Sequence, residues 1–162
     1  GAGKVVAAGR NKDVLAQLPA LGVDECISLE QPPEDLLKAF SSQTFDVVLD
    51  YFWGAPVSLL IEALTGNQLM KATPRTRLIQ AGAMAGSHIS LPAAALRSSR
   101  LEILGSGGGS VAPEAIFGAF PEIMRRAAAG KLVIDTVEMP LSEVLAAWNL
   151  QPANGSRIVL RP

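Results

Sequence analysis

Gly9-Arg10-Asn11-Lys12 sets a guanidinium, an amide donor and an ammonium in consecutive positions just after a short apolar run, Val5 to Ala8. Arginine forks onto phosphate oxygens, and lysine adds a point charge beside it. Three further apolar runs also end in small residues: Val47 to Gly54, Leu78 to Gly82 with Ala81 and Ala83 beside it, and Ile103 into Gly105-Ser106-Gly107-Gly108-Gly109. Open parallel α/β sheets take ligands at the carboxyl ends of their strands, where glycine lets a ligand approach the backbone. The combination reads as a dinucleotide site. A carboxylate after such a strand accepts hydrogen bonds from the ribose 2′-hydroxyl of NAD and repels a 2′-phosphate, whereas cations and neutral donors do the reverse. Arg10, Asn11 and Lys12 therefore favour NADP. The competing reading leaves Arg10 and Lys12 as solvated loop charges, and spacing alone does not separate the two. Asp13 is close by, placed to stabilise a helix dipole rather than to hold a ribose.

Backbone groups at Ala81, Gly82, Ala83, Gly105, Ser106 and Gly107 could hold a nicotinamide carboxamide, small side chains preventing a clash. Tight turns are the plainer explanation of the same glycines. Tyr51, Phe52 and Trp53 either line the cofactor groove or supply buried area, the commoner role of aromatic side chains. Other catalytic schemes fall away. Gly130-Lys131 is followed by Leu132 and lacks the preceding glycine of a phosphate-binding P-loop, and G-x-S-x-G is absent. Tyr51 has Ala55 four residues on, so a Tyr-x-x-x-Lys pair cannot be built. Asp46 and Asp50 flank a strand and read as caps for backbone groups. Cys26 and His88 cannot supply the four ligands of a structural zinc site, and read as packing or surface residues. No metal site is expected, and no catalytic acid or base can be named.

Composition agrees with one core. The 162 residues are 49% hydrophobic and 18% charged, enough for one full domain and too few for two ordinary ones, so residues 1–162 are read as a single domain. Fourteen basic against fifteen acidic side chains leave a net charge of −1, with no basic field for nucleic acid or anionic lipid. One cysteine forms no internal disulfide, no apolar run reaches the roughly 20 residues of a membrane span, and the glycine-rich start lacks a signal peptide's regions. A cytoplasmic, reducing setting is expected.

The elements that would carry these residues alternate. Val5 to Ala8 is read as a strand buried on both faces, followed by Asn11 as N-cap and a helix with Val14, Leu15, Leu18 and Leu21 on one face, broken or kinked at Pro19 and ended by Gly22. A strand over Glu25 to Leu29 precedes a helix opened by Pro32 and Pro33, with Glu34 and Asp35 in its first turn and Leu36, Leu37 and Phe40 inward. Phe45 to Tyr51 is a strand, Pro56 to Leu64 a helix ending near Gly66, and Arg77 to Ala81 and Glu102 to Gly105 are strands. Phe117, Phe120, Met124 and Ala127 mark one face of a helix stopping at Gly130. Strand Val133 to Met139, helix Leu141 to Leu150 and strand Arg157 to Leu160 complete the pattern. Such alternation gives a parallel sheet with helices on both faces.

Taken together, Gly1-Ala2-Gly3-Lys4-Val5-Val6-Ala7-Ala8-Gly9-Arg10-Asn11, Leu21-Gly22-Val23-Asp24, Phe45-Asp46-Val47-Val48-Leu49-Asp50, Arg77-Leu78-Ile79-Gln80-Ala81-Gly82, Gly105-Ser106 and Gly155-Ser156-Arg157-Ile158-Val159-Leu160 resemble the cofactor-binding domain of the medium-chain dehydrogenases/reductases. The nearest branch is the zinc-binding alcohol dehydrogenase and quinone oxidoreductase group, and the resemblance runs through essentially the whole chain. It implies a Rossmann-like, doubly wound, mostly parallel α/β sheet that lacks the first strand and its G-x-G-x-x-G turn, and a polypeptide without the amino-terminal GroES-like catalytic domain. In the family's strand order the missing strand lies between those beginning near Lys4 and Phe45. The resemblance also implies that Gly9, Arg10, Asn11 and Lys12 meet the adenosine end of NADP and that Arg157 reaches a cofactor phosphate. It further implies a homodimer joined along Leu101 to Gly105. The expected activity is hydride transfer between nicotinamide and a carbonyl, quinone or enone. Two other readings stay open: a binding or assembly module that kept the fold and lost the activity, and a Rossmann-like methyltransferase, against which Arg10 speaks because that class needs an acidic residue after its second strand.

Overall fold

A computed structural model describes residues 1–66, 74–152 and 156–162. The described residues form two compact units, Gly1–Ala112 and Pro113–Pro162.

In the first unit, β1 (Val6–Gly9) leads through the Asn11 N-cap into α1 (Lys12–Gln17). The Asn11 carboxamide oxygen accepts from the N–H groups of Asp13 at 2.9 Å and Val14 at 3.1 Å, satisfying two of the orphan donors that every helix start presents. At Pro19 the α-helix has already given way to a 3-10 turn, Leu18–Leu21, ending on Gly22. Only Leu15 of the expected apolar face is buried; Leu21 is exposed, because the 3-10 turn rotates it away from the stripe. β2 (Glu25–Ser28) pairs parallel with β1. α2 (Pro33–Ser41) has Pro33 in its first turn with Glu34 and Asp35, and it buries Leu36 and Phe40. β3 (Val47–Asp50) leads to α3 (Gly54–Thr65), then β4 (Thr76–Gln80), α4 (Ala93–Arg97) and β5 (Leu101–Gly105), the three strands forming a parallel ladder in the order β3-β4-β5.

The core lies on one face of these strands. Ile27, Leu78 and Leu101 meet Leu36 and Phe40 of α2, Val57, Leu60 and Ile61 of α3 and Ala95 of α4. On the β1–β2 ladder the opposite face is covered as well. Side chains alternate along a strand, so Gly9 points away from core-facing Val6, and a Cβ at Gly9 would lie 3.2 Å from the Leu15 side chain of α1. Within this unit Val47, Leu49 and Leu104 remain exposed on the side opposite the core. Nor is β1 buried on both faces as expected, its residues being half-buried or exposed.

No ladder joins β1 to β3. Val5 and Gly9 give their carbonyls to Asp24 and Leu29, which by parallel alternation turns Val6 and Ala8 backbone groups away from β2. Arg77 and Ala81 likewise donate to the carbonyls of Asp46 and Asp50, turning those of Val47 and Leu49 away from β4. The sheet is interrupted at the place where the resemblance puts a further strand, and chain order runs outward from that interruption in both directions.

The second unit holds α5 (Pro113–Ala128), β6 (Thr136–Pro140), a 3-10 turn over Leu141–Glu143, α6 (Val144–Asn149) and β7 (Arg157–Arg161), with β6 parallel to β7. α5 is the helix whose one face the sequence marks with Phe117, Phe120, Met124 and Ala127, and its Phe117 and Phe120 ring centroids lie 6.1 Å apart. β6 starts three residues later than the pattern suggests, Val133 and Ile134 being exposed.

Candidate functional site

Three of the four small-residue termini lie at the carboxyl end of one parallel ladder, and the fourth, after β1, stands across the interruption. Ligands of open α/β sheets bind in the crevice outside the strand ends where chain order reverses. Here that crevice lies between the end of β1 and the end of β3.

On the β1 side, Arg10 is exposed, and among the described residues it makes no ion pair with any carboxylate. Its guanidinium carbon lies 5.8 Å from the centroid of the Phe52 ring, over the ring. The Asn11 oxygen is committed to the helix cap, so its Nδ2 amide is what it can offer an anion. Lys12 is exposed on the first turn of α1, and Gly9 serves the packing of Leu15.

On the β3 side the turn is built by Asp50, 5% exposed, whose carboxylate accepts from the Phe52 N–H at 2.8 Å and from the Trp53 N–H at 3.1 Å. That is the capping role read from the sequence. Trp53 adopts φ 53°, ψ −163°, a conformation rare outside glycine. Gly54 follows at φ 65°, and a Cβ there would come within 2.6 Å of the Ala85 carbonyl oxygen, so no other residue fits. The aromatic run divides its roles. Tyr51 is exposed, Trp53 packs on the core, and Phe52 faces Arg10.

Beyond β4, the Ala81 and Gly82 N–H groups donate to the Asp50 carbonyl, and Gln80 Nε2 donates to the Gly82 carbonyl at 2.8 Å. A Cβ at Gly82 would lie 2.7 Å from the Tyr51 carbonyl oxygen. Glycine at this position is thus required by the packing of two loops. Gly105 and Gly107 are different, since a Cβ at either would meet open space. The Ser106 N–H donates to the Gln80 carbonyl, and Gly107 is closed into a turn by Ser110. Trp53, Gln80, Ala83, Ser87, Leu104 and Gly105, together with Ile103, line an open cavity of about 370 Å³ over these strand ends. Gln80 and Ser87 were not singled out by sequence, although Gln80 directly precedes the Ala81-Gly82 pair. Arg157 opens β7 in the second unit, its N–H donating to the Asp135 carbonyl at 2.8 Å. Gly155, quoted in the resemblance, lies outside the described residues. Among those residues no three His, Cys, Asp or Glu side chains converge to hold a metal ion, and no helix is long and apolar enough to cross a membrane.

No family model and no curated protein matches the sequence. Solved structures do. An NAD-dependent alcohol dehydrogenase superimposes on 98% of the chain with a TM-score of 0.69 at 27% identity, the match covering 44% of that protein. The chain resembles the cofactor-binding domain of medium-chain dehydrogenases/reductases. CurA from Vibrio vulnificus, solved with NADPH, matches 98% of the chain with a TM-score of 0.64 at 19% identity and 49% coverage of that protein. A protein from Mesorhizobium loti described as an NADPH:quinone reductase matches 98% with a TM-score of 0.71 at 19% identity and 46% coverage. The chain spans under half the length of each of these three proteins. Its fold is that of a Rossmann-like α/β domain with parallel strands.

Proposed function

We propose that the chain is the cofactor-binding portion of an NADP-dependent oxidoreductase moving hydride between nicotinamide and a carbonyl, quinone or enone. The neighbours include both NAD- and NADPH-linked proteins, so their names do not choose the cofactor. Arg10 carries the choice. It stands after β1, at the crevice where an NAD-selective domain would keep a carboxylate, and its N–H edges have no acidic partner among the described residues. Asn11 Nδ2 and Lys12 add donors beside it. The open space at Gly105 and Gly107 and the cavity beside Trp53 and Gln80 fit the nicotinamide end, with Ala81, Gly82, Ala83 and Ser106 as its margins. Bound there, the cofactor supplies the hydride chemistry, and the chain's own residues orient it and select its phosphate. Arg157 is assigned to a cofactor phosphate by resemblance alone. We assign a second copy of the chain as partner, joined along β5.

Calorimetric titration tests the cofactor choice. Wild type is expected to bind NADP more tightly than NAD. Arg10→Ala should weaken NADP by about tenfold or more and leave NAD nearly unchanged, since a charge-assisted contact is worth about 1.5 to 3 kcal/mol. NAD binding equal to or tighter than NADP binding by the wild type would overturn the assignment.

A further inference from the structure

We infer that Phe52 is a positioning residue for Arg10, and that it sets how strongly the site prefers a phosphorylated ribose. The inference rests on Arg10 being the 2′-phosphate ligand. An exposed arginine samples many rotamers, and every hydrogen bond it makes to an anion must first overcome that freedom. Here the guanidinium lies over the Phe52 ring at 5.8 Å from its centroid. A cation over a ring face is held by the quadrupole while its N–H edges stay free for a bidentate phosphate. The aromatic side is itself anchored. Phe52 is half-buried, its N–H donates to Asp50 at 2.8 Å, and Asp50 is buried at the end of β3. A line of contacts therefore runs from the β3 ladder through Asp50 and Phe52 to Arg10, the first of the two cations after β1. This contact also bridges the two sides of an interruption that no backbone ladder crosses. A carboxylate partner would have fixed Arg10 equally well and cancelled its charge; the ring holds it in place and leaves the charge available.

The test compares 2′,5′-ADP with 5′-ADP on the wild-type chain and on Phe52→Leu, Phe52→Tyr and Arg10→Ala. The expected result is a wild-type preference for 2′,5′-ADP that Arg10→Ala abolishes, that Phe52→Leu lowers by about three- to fivefold, and that Phe52→Tyr retains, with 5′-ADP affinity the same in all four proteins. The Arg10 Nε–H resonance should carry an upfield ring-current shift in the wild type and Phe52→Tyr, lost in Phe52→Leu without ligand. A Phe52→Leu protein that keeps the full preference while Arg10→Ala loses it overturns the role of Phe52 and leaves the phosphate assignment standing. An Arg10 resonance that Phe52→Leu does not move overturns the stack itself. A wild type that binds neither ligand, or binds both equally, overturns the phosphate assignment and the inference with it.

Discussion

Asp50 does structural work that the ligand site depends on. Its buried carboxylate satisfies two consecutive N–H groups and holds Trp53 in a backbone conformation that costs about 1 to 3 kcal/mol when nothing compensates. Asp50→Ala leaves those donors unpaired in a half-buried turn, a loss of about 1 to 3 kcal/mol, and the melting temperature should fall by about 3 to 10 °C. Asp50→Asn keeps an acceptor and should recover part of the loss; equal melting temperatures for wild type and Asp50→Ala would refute the role. Asp50 as a cap and Arg10 as a cation after a strand were both legible in the sequence, because each depends on residue type and local spacing. The Arg10–Phe52 contact was not, since it joins two loops 42 positions apart in the chain across a crevice. The need for glycine at Gly82 was legible only as a choice between ligand and turn, and the Tyr51 carbonyl beside it is invisible to any local pattern.

Strand β5 is a free edge whose chemistry can be stated bond by bond. Thr76 donates to the Arg100 carbonyl and Ser106 to the Gln80 carbonyl, so Glu102 and Leu104 bond β4 while the Ile103 N–H points to the open side. Ile103→Pro therefore removes a donor from the edge and leaves the β4 ladder its bonds. Light scattering at matched concentration should show a dimer for wild type and a smaller mass for the variant, with circular dichroism confirming that both are folded. A monomeric wild type, or a folded variant of unchanged mass, would place the interface elsewhere. The amino-terminal half of this ladder carries charge. Glu102 receives Arg75 at 2.7 Å and Arg77 at 3.2 Å, and the Arg75 guanidinium beside it holds its carboxyl below the usual carboxylate value, with Arg77 adding to the effect. A depressed folded value stabilises the fold above the unfolded value of 4.5, and the contribution is lost as pH falls through the folded value. Glu102→Gln should accordingly melt lower than wild type at about pH 7, and the difference should shrink as pH falls below 4.5 and vanish once the folded carboxyl is protonated; identical melts at neutral pH would refute the coupling. α2, opened by its prolines, and the β-branched strand β3 are legible to within a residue or two, whereas β6 begins three residues later than its apolar run and α1 ends at Gln17, ahead of Pro19. α4 was not named at all, because five residues from Ala93 to Arg97 are too short to show a helical period.

Across the whole molecule, the order of strands and helices was legible from alternation, and the interruption between β1 and β3 was legible only through resemblance. Which faces are covered was not, because α2, α3 and α4 crowd one side of the second ladder while Val47 and Leu49 stay exposed on the other, and no single segment encodes that. Hydrogen exchange offers a direct check. Val48 and Asp50 amides, bonded to β4, should exchange more slowly than those of Val47 and Leu49 by about tenfold or more, and Ala7 and Gly9 more slowly than Val6 and Ala8. Uniform protection along β1 and β3 would mean that the ladder is continuous after all.

Two ladders without a shared strand are two plates joined through side chains, by the packing of α2 against α3 and by Arg10 over Phe52. Packed side chains yield more easily than a ladder of hydrogen bonds, so the spacing between Arg10 and the ends of β4 and β5 depends on these side-chain contacts. A dinucleotide bound as proposed touches both plates, and its apparent affinity is its intrinsic affinity reduced by the fraction of time the plates are aligned. Any contact that braces the plates tightens binding without touching the ligand.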